Sequence, residues 1–106
     1  MVDCKLGRVN MLKHIVFMKF KATVDDSQIS DLEQSLAALP AVIAEIREYV
    51  FGRDVVKSDR SYDFALVSAF ADLDALKRYQ VHPDHQVVVK KVVALCDSIL
   101  AVDFPF

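Results

Sequence analysis

The sequence predicts an α+β domain of element order βαββαβ, folded as a four-stranded antiparallel sheet with its helices on one face. Two observations carry this. Four short segments rich in β-branched and aromatic residues are interrupted, after the first and before the last, by stretches whose apolar residues recur at three- and four-residue steps. Those stretches open on acidic residues or proline, which suit the free amides of a helix start. The order matches the ferredoxin-like split βαβ arrangement.

Each element has its own local reason. After a polar leader, Met1–Asn10, the run from Lys13 to Lys21 (KHIVFMKFK) reads as the first strand. Asp25, Asp26 and Ser27 start a helix in which Ile29, Leu32, Leu36 and Leu39 share a face, and Pro40 is expected to stop it. An irregular link, 41–46, leads to strand two at Arg47–Val55, and the polar turn 57–60 separates it from strand three at Tyr62–Phe70. Asp72 or Asp74 caps a short helix through Tyr79. Pro83 suits the first turn of the next helix, which runs to about Cys96, and Ile99–Phe104 is the last strand.

Strands one and three are apolar on both sides. Val16, Met18 and Phe20 alternate with Ile15 and Phe17, while Phe64, Leu66 and Phe70 alternate with Ala65, Val67 and Ala69. An antiparallel sheet with one wet face alternates apolar with polar, so the uncovered face is expected to pack on a second copy of the chain. A homodimer whose two sheets form a barrel is the predicted assembly. The leader is expected to lie against a neighbouring subunit or to extend strand one.

Composition excludes several classes of function. Thirteen Lys and Arg against fifteen Asp and Glu leave a formal charge of -2, with no basic stripe, which argues against nucleic acid. No apolar run approaches the ~20 residues of a membrane-spanning helix, so no membrane partner is expected. Met1–Lys5 lacks the apolar core of a signal peptide, so a cytoplasmic location is expected. Cys4 and Cys96 have no zinc or redox spacing and are expected to be free thiols. Two glycines, Gly7 and Gly52, cannot build a phosphate-cradling loop, and no nucleotide or other cofactor is expected.

The richest stretch chemically is Tyr79-Gln80-Val81-His82-Pro83-Asp84-His85, which places a tyrosine and two of the three histidines at a helix junction. From His85 the residues Val88, Val89, Val92 and Cys96 recur at helical spacing, so the imidazole points inward with them. A buried imidazole needs partners for its nitrogens, and the Tyr79 phenol is a natural one. The alternative is a core histidine satisfied by backbone. His82, just before Pro83, reads as a partner for orphan amides at the helix start or as an exposed residue. Tyr49 and Tyr62 read as packing residues with hydroxyls that reach solvent. His82 and His85 with His14 form too sparse a set for zinc, and no metal site is expected.

The Lys13–Phe20 run, Gly52-Arg53-Asp54, the strand from Tyr62-Asp63 to Phe70, the Tyr79–His85 stretch and the closing Val102-Asp103-Phe104 together resemble the stress-responsive dimeric α/β-barrel (Dabb) family. The resemblance covers about Met11 to Phe104 and implies one such domain over 11–106. It extends to a plant polyketide cyclase of that family, in which a tyrosine and a histidine in a Tyr-x5-His pattern close a ring without a cofactor. Tyr79 and His85 occupy that pattern. The resemblance implies His85 as base and Tyr79 as its hydrogen-bonding companion, with His14, Val16 and Met18 on the cavity wall. Phe64 stands where the cyclase has a further histidine, which implies a less polar pocket.

The ligand-binding set expected around the pair is His14, Val16, Met18, Phe64, His82 and Val88. The expected function is a cofactor-independent cyclase or isomerase acting on an apolar carbonyl or aromatic compound. The alternative is a stress-associated module that holds such a ligand without chemistry.

Overall fold

A computed structural model of the protein describes residues 11–106. The leader and Cys4, with the expectations attached to them, lie outside the described residues. The elements are β1 (Leu12–Phe20), α1 (Asp26–Val42), β2 (Glu48–Arg53), β3 (Phe64–Phe70), α2 (Leu73–Val81), α3 (Pro83–Leu95) and β4 (Cys96–Pro105). The sheet runs β2-β3-β1-β4 with every neighbouring pair antiparallel. This is the predicted ferredoxin-like arrangement, with its second helix broken at His82-Pro83.

Helix α1 begins on a reciprocal cap. The Asp25 carboxylate accepts from the Gln28 amide at 2.9 Å, while the Gln28 side chain accepts from the Asp25 amide at 2.9 Å. The helix does not stop at Pro40. It continues to Val42, because a proline this close to the end forfeits a single hydrogen bond, and the Ile43 amide still closes the last turn on the Leu39 carbonyl at 2.9 Å. Strand β4 is longer than its apolar run, starting at Cys96 and ending at Pro105. Asp97 and Ser98 hide its start from a propensity reading, and Pro105 is tolerated because β4 is an edge strand.

The core lies between the sheet and the helices. Met18, Leu32, Leu36, Leu39, Phe64, Phe70, Leu76 and Tyr79 are all within 3 % of complete burial, each side chain of this kind contributing about 1.5–3 kcal/mol. Arg53, at the end of β2, clamps α1 to the sheet. Its guanidinium grips Glu33 through two bonds, at 3.2 and 3.0 Å, and also pairs with Asp26.

Strand register sorts the other face into rows. Val50, Val67, Ile15 and Val102 form one row across all four strands, and Gly52, Ala65, Phe17 and Leu100 form the next. At one end Lys13 reaches across Ala69 to Glu48 at 2.8 Å. Phe17, Val50, Leu100, Val102 and Phe104 are all exposed, so the two-faced pattern read in the sequence leaves a real apolar surface. Among the described residues no helix is long and apolar enough to cross a membrane.

Candidate functional site

The same register builds a polar row on the covered face. Tyr49 of β2 pairs with Ser68 of β3, Ser68 with His14 of β1, and His14 with Asp103 of β4, so the four side chains share one side of the sheet. His14 is buried, and its Nδ1 donates to the Asp103 carboxylate. Fully buried Ser68 donates to the His14 carbonyl at 3.0 Å, which ties the row to the backbone. The sequence reading gave no role to Asp103. A visible signal was the alternation Ile99, Ala101, Asp103, which puts one carboxylate on the side of the strand that faces the cavity.

The helices lower two further rings onto this row. Asp72 caps α2 by accepting from the Ala75 amide at 2.8 Å, and the helix carries Tyr79 inward. The chain then turns at His82-Pro83. His82 is the cap of α3, its Nδ1 accepting from the Asp84 amide at 3.1 Å, so it serves the helix start and stands outside the cavity wall. Three residues on, one turn of α3 brings His85 under Tyr79 with ring centroids 4.1 Å apart.

The expected phenol–imidazole hydrogen bond is replaced by this ring contact. The Tyr79 hydroxyl instead meets the Tyr49 hydroxyl at 2.7 Å. His85 Nδ1 donates to the Gln80 carbonyl at 3.2 Å, an acceptor near the end of α2 that the helix leaves available. Tyr49 is therefore a half-buried hydrogen-bonding partner, where the sequence suggested a hydroxyl open to solvent. Its long-range pairing to Tyr79 left no local sequence signal.

Burial is the main force on these groups. It holds the His85 imidazole below the ordinary histidine range, with His14 and His82 adding repulsion and the Gln80 carbonyl partly offsetting it. The ring is thus neutral at neutral pH, and its Nδ1–H tautomer leaves Nε2 as a lone pair. Burial also pushes the Tyr49 phenol up to about 12 and the Tyr79 phenol above the usual tyrosine range, so both keep their protons. The buried Cys96 thiol is free, and burial raises it to about 11.

A cavity of about 160 Å³ opens beside these rings, lined by His14, Val16, Met18, Tyr79, His85 and Val88 together with Leu36 and further aliphatic side chains of α3. Phe64 is not part of this wall. It is packed into the core against Phe51 and Phe20, and it borders a wider hollow of about 470 Å³ above Gly52 and Ala65 that contains no histidine. Among the described residues no three His, Cys, Asp or Glu side chains converge as metal ligands would.

Residues 12–106 match the family described as the stress responsive A/B barrel domain. The chain belongs to that family. A stress-response A/B barrel domain-containing protein of Arabidopsis thaliana is 30% identical over 95 residues, which cover 89% of this chain and 36% of the relative. The barrel-domain chain thus spans about a third of that relative's length. An uncharacterized protein of Streptomyces coelicolor is 35% identical over 81 residues, covering 74% of this chain and 84% of its own. Among solved structures, a dimeric ferredoxin-like protein of Thermobifida fusca superposes with a TM-score of 0.85 at 31% identity, covering 92% of both chains. The hydroxynitrile lyase of Passiflora edulis has the same fold, with a TM-score of 0.85 at 20% identity over 93% of this chain and 95% of that one.

Proposed function

We propose that this Dabb-family protein is a homodimeric, cofactor-independent catalyst of proton transfer next to the carbonyl of a small apolar compound, a cyclase- or isomerase-type reaction with His85 as base. The observation that carries the reading is a neutral imidazole, anchored through Nδ1 on the Gln80 carbonyl, at the wall of a cavity lined mainly by aliphatic side chains. A neutral imidazole has a free nitrogen lone pair and so can accept a proton at physiological pH.

In the proposed step His85 Nε2 takes a proton from the carbon beside the carbonyl, the electron pair of that C–H bond forms the new C=C bond, and the carbonyl π pair moves to the oxygen. An enolate conjugated with a further C=C takes the proton back from His85 at the far carbon of that system. Alternatively, the enolate attacks a second carbonyl in the same molecule, whose oxygen then takes the proton from the His85 imidazolium. Tyr79 supplies a hydroxyl near the developing charge, and His14, oriented by Asp103, faces the same space. The volume limits the substrate. A cavity near 150 Å³ holds a molecule about the size of benzene, so substrates of six to eight heavy atoms fit without rearrangement.

The homodimer is proposed to form through the exposed rows on the outer face of the sheet, as supported by the related structures from Thermobifida fusca and Bacteroides fragilis, both described as dimeric. A cytoplasmic site of action accords with the free Cys96 thiol and belongs to the same proposal.

Exchange of the α-protons of cyclohexanone in deuterated buffer, followed by NMR, tests the chemistry without knowledge of the natural substrate. The protein should accelerate exchange, and His85→Ala should abolish the acceleration. Equal exchange with the two proteins refutes the assignment of His85.

A further inference from the structure

Two hydroxyls that bond each other hold two protons and use one. Tyr49 and Tyr79 are such a pair, with oxygens 2.7 Å apart and both phenols protonated. If Tyr79 donates, the spare proton sits on Tyr49, a half-buried residue of edge strand β2 that takes no part in the cavity wall. If Tyr49 donates, the spare proton sits on Tyr79. That residue is 1 % exposed and lines the cavity, so an oxygen atom bound there is the acceptor within its reach.

We propose that Tyr49 is a positioning residue that turns Tyr79 into a hydrogen-bond donor for an oxygen bound in the cavity, so that the site selects carbonyl compounds over hydrocarbons of the same shape. The inference rests on the reading that the cavity takes small apolar carbonyl compounds. With the cavity empty either direction of the pair is open. A carbonyl oxygen selects the direction in which Tyr49 donates to Tyr79 and Tyr79 to the ligand, and accepting a bond polarises the Tyr79 hydroxyl into a stronger donor. No proton leaves either phenol. Among the described side chains lining the cavity Tyr79 carries the only hydroxyl, and the Nδ1 atoms of His14 and His85 are engaged by Asp103 and Gln80. The Tyr49–Tyr79 pair therefore decides whether a ligand oxygen meets an uncharged donor.

Two probes of nearly equal shape test this: carbonyl-labelled cyclohexanone and methylenecyclohexane, which replaces the oxygen by a carbon. Binding of both to the wild-type protein and to Tyr49→Phe is measured by NMR, together with the chemical shift of the bound carbonyl carbon. Tyr49→Phe is expected to lower the ketone-to-hydrocarbon affinity ratio roughly fivefold, to move the carbonyl resonance upfield, and to leave hydrocarbon binding unchanged. An unchanged ratio and resonance overturn the inference. So does a hydrocarbon affinity that falls in step with the ketone's, because that marks a purely structural role. If the wild-type protein binds neither probe, the cavity reading itself fails and takes this one with it. If His85→Ala abolishes proton exchange while Tyr49→Phe changes neither ratio nor resonance, the inference alone fails.

Discussion

Leu36→Ala tests the location of the cavity and its role in stability together. Leu36 is 2 % exposed on α1 and contributes to the wall of the cavity. Truncation removes three buried carbons, and at about 0.8 kcal/mol each their lost transfer energy is ~2.4 kcal/mol. The new space merges with a void that the surroundings already fail to fill, so little collapse is available, and the total should approach 3 kcal/mol, within the ~2.7–5 kcal/mol observed for such changes. For a chain of this size that corresponds to a melting temperature lower by about 12 °C or more. Urea unfolding at fixed protein concentration measures the loss, the fixed concentration being essential if dimerisation contributes. The same variant should shift ligand preference from cyclohexanone toward acetophenone, whose extra length the enlarged cavity accepts. A loss under 1 kcal/mol with an unchanged preference between the two ketones would show that Leu36 does not bound the ligand space.

The remaining predictions concern the outer face, the His14–Asp103 pair and pH. Phe17→Asp places a charge in the middle of the apolar rows and should dissociate or unfold the proposed homodimer, which sedimentation velocity reads directly; an intact dimer of normal stability contradicts the proposed interface. Asp103→Ala leaves the buried His14 Nδ1 without its acceptor and should cost about 1–2 kcal/mol in a urea melt; a change below ~0.3 kcal/mol would mean solvent replaces the carboxylate freely. Because burial lowers the folded-state pKa of His85, the unfolded chain binds this proton first. The contribution of His85 is therefore constant above the ordinary histidine value of about 6.5, falls as the pH drops below it, and levels off beneath the folded value. Replacement by Gln should remove that part of the slope between pH 7 and 5, and identical slopes in the two proteins would contradict a half-buried neutral imidazole.

The fold was legible because its signals are local. Alternation in Ile15–Phe20 and Phe64–Phe70, the start signals at Asp25 and Pro83, and helical spacing from Ile29 to Leu39 each need only a few neighbouring residues. The misses came where tertiary context outweighed a local preference. Pro40 reads as a stop, yet the packing of Leu36 and Leu39 carries α1 two residues past it. Asp97 and Ser98 read as loop, yet β1 offers a complete partner edge and β4 pairs along it from Cys96, with one irregularity at Lys19/Phe20.

The site divides along the same line. His85 lines the cavity with its helical neighbours Val88 and Val92, a spacing visible in the sequence, and the contact of its ring with Tyr79 follows from the short turn between α2 and α3. Asp103 and Tyr49 could not be found this way. Each reaches the site through strand pairing, 89 residues from His14 in one case and 30 residues from Tyr79 in the other. A register slip of one residue would turn either side chain to the opposite face. The apolar rows on the outer face and the polar row on the inner one are thus products of a single register. Gly52, Ala65, Phe17 and Leu100 line up for a partner only in the pairing that also aligns Tyr49, Ser68, His14 and Asp103 beneath the helices. Any change that shifts β2 or β4 along its neighbour should therefore damage the proposed assembly and the proposed site together, whereas truncations at Val88 or Val92 of α3 should cost core stability and reshape the site without touching the outer rows.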